Sequence, residues 1–124
     1  MGGGHKPRDI VSAYRGNEFR AYRIPDGNQV IGTASVLRDG DDAELGLMFV
    51  DPSAIGGGIG RALFDEAVKL ARRLGYRRMT ILADVNAAPF YERMGARFLR
   101  RMPSDAIPGR TLPFYEYDLA ERAS

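Results

Sequence analysis

The chain has 124 residues, the size of one ordinary domain, with 44% hydrophobic and 27% charged side chains. It has no Cys and one His, which excludes a disulfide framework, a thiolate zinc or iron–sulfur site, a catalytic thiol and a His-based triad, so no metal is expected. The 18 basic and 16 acidic side chains leave a formal +2, too small a bias to argue for nucleic acid.

No apolar run approaches the roughly 20 residues of a membrane span, and no basic-then-apolar leader is visible. A soluble cytoplasmic protein with no membrane partner is therefore expected. His5, in the start MGGGHKPRD, reads as part of a tail rather than of a site.

In chain order, residues 1–18 form a short segment in which Ile10, Val11 and Tyr14 suggest about two helical turns. Three strand-like runs follow. Phe19–Ile24 ends at Pro25-Asp26-Gly27-Asn28, Gln29–Leu37 ends at Arg38-Asp39-Gly40-Asp41, and Ala43–Val50 ends at Asp51-Pro52. Short turns between consecutive strands predict an antiparallel meander. Arg61–Leu74 then places Leu63, Ala67, Leu70 and Leu74 at spacings of four, three and four, an amphipathic helix with Gly75 where a C′ glycine belongs.

Arg78–Val85 reads as a buried strand. Ala87–Met94 reads as a short helix with Asn86 as N-cap, Pro89 in the first turn and Gly95 at its end. Ala96–Met102 and Thr111–Leu119 are the last strands, separated by a turn-rich loop, and Pro113 suggests an edge or a bulge. The order β-β-β-α-β-α-β-β is an α+β domain with a mixed, mostly antiparallel sheet over residues 19–119, followed by a tail at 120–124.

Between the third strand and the long helix lies Ile55-Gly56-Gly57-Gly58-Ile59-Gly60. Glycines at a strand-to-helix junction let the backbone approach a ligand and leave free N–H groups at a helix N-terminus, a combination that binds phosphate. The same glycines also serve a plain turn that needs positive φ. A P-loop is excluded, because Gly60 is followed by Arg61-Ala62 rather than Lys and Ser/Thr. No register of residues 56–61 supplies the dinucleotide fingerprint Gly-x-Gly-x-x-Gly.

Val50-Asp51-Pro52 followed by Ile55 to Leu63 resembles the acyl-CoA loop of the GNAT N-acetyltransferases, whose pattern is Arg/Gln-x-x-Gly-x-Gly/Ala. Gly58 and Gly60 match the two small positions, while Ile55 stands where the family has Gln or Arg. Ala83 to Ala96, with Phe90-Tyr91-Glu92-Arg93-Met94-Gly95, is similar to the later family motif Phe-Tyr-Glu-x-x-Gly. Ile107-Pro108-Gly109-Arg110-Thr111-Leu112-Pro113 looks like the final hairpin of a bacterial subgroup.

The resemblance implies a transfer of acetyl from acetyl-CoA, a co-substrate, to an amine by direct attack in a ternary complex. That chemistry needs a deprotonated amine, a polarised carbonyl and a stabilised thiolate, but no covalent nucleophile. By resemblance, pantetheine lies between splayed strands against Met48, Phe49 and Val50. Pyrophosphate meets the amides from Ile55 and Gly56 through Gly57, Gly58, Ile59 and Gly60 to Arg61. Tyr91 is the general acid at the CoA sulfur, protonated at neutral pH because a phenol titrates near 10. Glu44 is the candidate base, with Asp42 and Asp84 behind it. Asn86 either caps its helix or bonds pantetheine.

Arg72, Arg73, Arg77 and Arg78 read as solvated surface, with the 3′-phosphate of CoA or an acidic partner as a lesser role. Arg110 is a possible contact for an anionic acceptor. Phe114, Tyr115 and Tyr117 read as core and edge packing.

The chain departs from the family in having about 18 residues before Phe19, where members have a strand and two helices that wall the acceptor site. An open groove would suit a peptide or protein N-terminus better than a small molecule, and exposed apolar sheet would favour a homodimer. Polyamines, aminoglycosides and amino acids remain open as acceptors. A non-catalytic acyl-CoA-binding or regulatory module on the same fold is the alternative.

Overall fold

The computed structural model describes residues 9–14, 18–23, 30–46, 48–52, 55–56 and 58–120, with 9–14 and 18–23 described by their backbone. His5 and Gly57 lie outside the described residues. Strands β1 (Asp9–Tyr14), β2 (Glu18–Arg23), β3 (Val30–Asp39), β4 (Asp42–Leu45) and β5 (Phe49–Val50) precede helix α1 (Ile59–Arg73). Strand β6 (Arg78–Leu82), helix α2 (Ala88–Arg93), β7 (Arg97–Pro103) and β8 (Thr111–Asp118) follow. The strands form one sheet in the order β1-β2-β3-β4-β6-β8-β7, with β5 also paired to β3. All pairs are antiparallel except β4 with β6, joined through the crossover helix α1.

The α+β architecture expected from the sequence is the one observed, with four local corrections. Ile10, Val11 and Tyr14 are in a strand, β1, which pairs with β2 from Asp9↔Arg23 to Tyr14↔Glu18. A six-residue run satisfies both a helical and an alternating period, and its antiparallel neighbour decides between them. The sheet therefore begins no later than Asp9.

The run Ala43–Val50 is not one strand. Leu45 pairs with Val36, but Phe49 pairs with Thr33, so one extra residue is inserted between β4 and β5. Gly46 sits in this bulge and donates its N–H to the Ser35 carbonyl at 2.8 Å. A Cβ at Gly46 would lie 2.4 Å from Ser35 Oγ and 3.1 Å from Leu37 Cδ1, so a side chain there would force both neighbours to move.

Pro113 lies in an interior strand, between β6 and β7. It is tolerated because the β6 ladder ends beside it: Ala83 donates to the Pro113 carbonyl at 2.9 Å, and Pro113 has no N–H to return. The bulge is instead on β7, between Phe98 and Arg100. The fourth correction, at Asn86, belongs to the site below.

Both helices cover one face of the sheet. Leu63, Phe64, Ala67, Leu70 and Ala71 of α1 bury one stripe against Ala34, Val36, Leu45, Met79, Ile81 and Tyr115 of the strands. Each fully buried large apolar side chain contributes about 1.5–3 kcal/mol. Both helices end in the same way. Gly75 (φ 91°) donates to the Arg72 carbonyl while Tyr76 donates to Ala71, and Gly95 (φ 103°) donates to Glu92 while Ala96 donates to Tyr91. These are Schellman closures, which need a residue that tolerates positive φ.

Candidate active site

The β4–β6 ladder has two described pairs, Ala43↔Met79 and Glu44↔Thr80. Beyond them the bulge turns β5 towards β3, and β5 and β6 part. A cleft of about 610 Å³ opens on the helix side of this gap. Met48 and Val50 form one wall, α2 the other, and the glycine turn the end.

The turn is built for an anion. Gly56 (φ 92°) and Gly58 (φ 86°) adopt the left-handed backbone, and Gly58 is the N-cap of α1 without any side-chain cap. Side-chain oxygens therefore leave the first N–H groups of α1 uncovered, and no acidic residue occupies its first turn. Among the described residues the cleft lining includes Arg61 and Arg93 but no Asp or Glu. A concave, partly apolar channel ending in free amides and two guanidiniums fits a phosphorylated ligand with an apolar arm.

Tyr91 projects from α2 into this cleft and is only 7% exposed. Its ring packs against Phe64 and Phe90, with centroids 6.2 and 5.2 Å away. Its hydroxyl lies 3.9 Å from Met48 Sδ, a weak acceptor. Burial pushes the phenol above its ordinary value.

α2 is tied to the sheet by Tyr115, whose hydroxyl donates to Glu92 Oε2 at 2.6 Å. Burial and the Glu92 carboxylate push Tyr115 up to about 12. The unfolded phenol ionises near 10 and the folded one near 12, so this pair's contribution to stability is complete below pH 10. It is lost as the pH rises from 10 to 12. Urea unfolding followed between pH 8 and 11.5 is expected to show that alkaline fall, and Tyr115→Phe is expected to lack it. At pH 7 the same variant is expected to lose about 1.5–3 kcal/mol, the net worth of a hydrogen bond to a charged group.

Of the residues singled out from the sequence, Met48, Val50, Ile55, Gly56, Gly58, Gly60, Arg61, Asn86 and Tyr91 all line this cleft. Ile55 is 70% exposed, so its departure from the family pattern costs no buried contact. Ile59 is in the core and offers the cleft only its backbone. Phe49 points to the opposite face of the sheet, beside Thr33.

Asn86 does not cap α2. Ala87 is the N-cap, without a side-chain bond, and the Asn86 N–H donates to Asp84 Oδ2 at 2.9 Å. Asp84 builds the turn that leads into α2, its carbonyl also accepting from Ala87 and Ala88. Glu44 lies outside the cleft, on the other sheet face, at the last pair before the gap. Asp42 is held by Arg78 at 2.9 Å.

The arginines Arg72 and Arg73 are at the far end of α1, ~20 Å from the glycine turn at 1.5 Å per residue. Arg72 Nε donates to the Leu119 carbonyl at 3.0 Å, and Arg78 bridges Asp42 and Glu116. Arg110 is exposed in the loop before β8. Cleft residues not singled out from the sequence are Ala87, Phe90, Arg93 and Met94. The spacing of Ala87, Tyr91 and Met94 by four and three was the available signal, one face of a helix.

A parted strand pair, a glycine turn feeding a helix N-terminus and a Tyr on the following short helix meet at this one cleft. The acetyltransferase (GNAT) family model matches residues 4–96, and the chain belongs to this family. No curated protein sequence matches it.

Among solved structures, the chain is similar to a GNAT-family acetyltransferase of Staphylococcus aureus, with a TM-score of 0.68 and 22% identity over 83% of this chain and 67% of that one. It is also similar to nourseothricin acetyltransferase, with a TM-score of 0.74 and 24% identity over 83% and 65%. A third, the acetyltransferase yncA of Salmonella typhimurium solved with its cofactor acetyl-CoA, has a TM-score of 0.67 and 25% identity over 86% and 66%. The chain thus spans about two thirds of the length of these proteins. No helix among the described residues is long and apolar enough to cross a membrane.

Proposed function

We propose that the protein is an N-acetyltransferase that moves an acetyl group from acetyl-CoA to an amine by direct attack in a ternary complex. The observation that carries this reading is the convergence of the glycine turn, the strand gap and Tyr91 on one cleft. When bound, acetyl-CoA supplies an activated acetyl thioester. The backbone from Ile55 to Arg61, with Arg61 and Arg93, holds its phosphates; Met48, Val50 and Asn86 flank its pantetheine arm, and Phe49 offers it only backbone. Tyr91 keeps a proton at Oη for the departing sulfur, and burial holds that proton in place at neutral and mildly alkaline pH. Glu44, half-buried at the opposite mouth of the gap, takes the proton released by the amine. The acid and the base thus flank the gap from the two faces of the sheet, so the two substrates enter from opposite sides.

The acceptor class on this reading is a small molecule or a peptide N-terminus, with no metal and no nucleic acid required. A chain without Cys has no use for an oxidising compartment, which supports a cytoplasmic setting. Exposed Phe98 on the edge strand β7 and exposed Ile107 in the loop after it support a homodimer. Sedimentation at tens of micromolar checks that part, and a monomer would remove it.

Calorimetric titration tests the core of the reading. Acetyl-CoA and CoA are expected to bind in the micromolar range, with NAD and ATP binding far more weakly. Absence of CoA binding would reduce the conclusion to the fold.

A further inference from the structure

We propose that the acceptor is the N-terminus of a polypeptide whose first residue is apolar and whose third is acidic. This rests on the acetyltransferase reading and names the substrate class of that site.

On the sheet face away from the helices, Glu44 stands at the last pair before the gap, with Leu37 directly opposite it on β3. Thr80 of β6 pairs with Glu44 from the other side. Leu82, two residues further along β6, shares that face and lies diagonal to Glu44, about 8 Å away for strands ~4.8 Å apart rising ~3.3 Å per residue. Leu37 and Leu82 are 43% and 44% exposed. Leu37 Cδ1 comes within 3.1 Å of where a Cβ of Gly46 would be, so this leucine reaches over the bulge that opens the gap. An amine that enters beside Glu44 therefore brings its first side chain onto leucine.

The charges on this face decide how many cations fit. Asp42 and Glu116 belong to the same face, but Arg78 bridges them at 2.9 Å each, and Arg97 bonds the second Glu116 oxygen. Glu44 has no ion-pair partner among the described residues. One uncompensated carboxylate suits one ammonium. A polyamine or an aminoglycoside carries several, and the others would lie on leucine or beside an arginine.

The apolar surface runs on past the length of one amino acid. Half-buried Phe114 of β8 pairs with Leu82, and Arg100 of β7 pairs with Phe114. The Arg100 guanidinium sits 5.0 Å from the centroid of the Phe114 ring, with no hydrogen-bond or ion-pair partner among the described residues. β7 is two strands beyond β6, about 10 Å across the sheet, and three beyond β4. A single amino acid cannot meet both Glu44 and Arg100, but an extended peptide can. Its third Cα is about 7 Å from its first, and alternation turns the first and third side chains to the same side. With the first on Leu82, the third passes over Phe114 towards Arg100. A carboxylate there takes the planar guanidinium fork through two parallel hydrogen bonds.

Thiol release from acetyl-CoA is measured with the tetrapeptide amides Leu-Ala-Glu-Ala, Leu-Ala-Gln-Ala, Leu-Ala-Lys-Ala and Ser-Ala-Glu-Ala, and with free leucine, spermidine and kanamycin. Leu-Ala-Glu-Ala is expected to have the highest kcat/KM. It exceeds Ser-Ala-Glu-Ala by about tenfold, the effect of seating a leucine side chain on apolar surface, and Leu-Ala-Gln-Ala by about fivefold, the upper range for an exposed ion pair. Arg100 is exposed, so its variants fold. Arg100→Gln is expected to bring the Glu and Gln peptides level, and Arg100→Glu to favour the Lys peptide. Both leave the Kd of acetyl-CoA unchanged.

A higher kcat/KM for free leucine, spermidine or kanamycin than for every peptide overturns the proposal and leaves the acetyltransferase reading standing. Equal rates with Leu and Ser at the first position, equal rates with Glu and Gln at the third, or an order of peptides that neither Arg100 variant alters do the same. Acetyl-CoA binding with no turnover of any peptide overturns the proposal alone. Absence of acetyl-CoA binding removes the acetyltransferase reading and the proposal with it.

Discussion

Replacing Tyr91 with Phe is expected to lower kcat by about 10²–10⁴-fold, the range for losing a general acid, with no change in the Kd of acetyl-CoA. The ring would keep its place between Phe64 and Phe90, because both contacts are made by carbon. Only Oη is lost, and its one described partner is the weakly accepting Met48 Sδ at 3.9 Å. Chemistry and binding are therefore separable at this position. Thiol release measures the first and calorimetry the second.

The pH dependence gives the sign a second check. A phenol donates only while protonated, and burial raises the pKa of Tyr91. The alkaline limb of kcat that belongs to Tyr91 therefore lies above the ordinary phenol value of about 10, and Tyr91→Phe removes it. If the substitution changes neither rate nor binding in a protein that binds CoA, the non-catalytic module becomes the better reading.

Phe64→Ala is expected to destabilise the protein by about 3–5 kcal/mol, the cost of removing a fully buried aromatic ring. Phe64 is where the core and the site join. Its ring meets Tyr117 edge-on at 5.2 Å, Phe90 at 6.4 Å and Tyr91 at 6.2 Å. It thus joins α1 to the sheet and to α2 at once. Small domains are stable by about 5–15 kcal/mol, so a loss of this size takes a large share of the total. Phe64→Leu keeps most of the volume and is expected to cost less than about 1.5 kcal/mol. Urea unfolding measures both. In the Leu variant a fall in kcat at unchanged stability would show that the ring also sets the position of Tyr91.

The helices were legible in the sequence because their determinants are local. Leu63, Ala67 and Leu70 fall on one buried stripe whatever the rest of the chain does, although Leu74, expected to continue it, is the C-cap and is 56% exposed, and Gly75 and Gly95 close each helix within a single turn. The glycine turn was legible for the same reason. Positive φ at Gly56 and Gly58 and an uncapped helix start are properties of consecutive residues. Tyr91 was legible through its motif, and the cleft gathers it with most of the residues that the motifs marked.

What the tertiary structure decided depends on partners distant in the chain. Asp9–Tyr14 is a strand because β2 pairs with it. The apolar run from Ala43 to Val50 is broken because β3 accepts β4 and β5 in registers one residue apart, and that break opens the gap. Asn86 is not the cap because α2 starts one residue later, with Ala87 as N-cap. Most consequential is the sorting of carboxylates. In the sequence Asp42, Glu44 and Asp84 are equivalent acids near turns. Strand pairing places Arg78 against Asp42, Asp84 bonds the turn before α2, and Glu44, at the last pair before the gap, has no ion-pair partner among the described residues. A hydrophobic period acts over three or four residues, but a charge is free or neutralised according to what the sheet places beside it, and no local pattern carries that information.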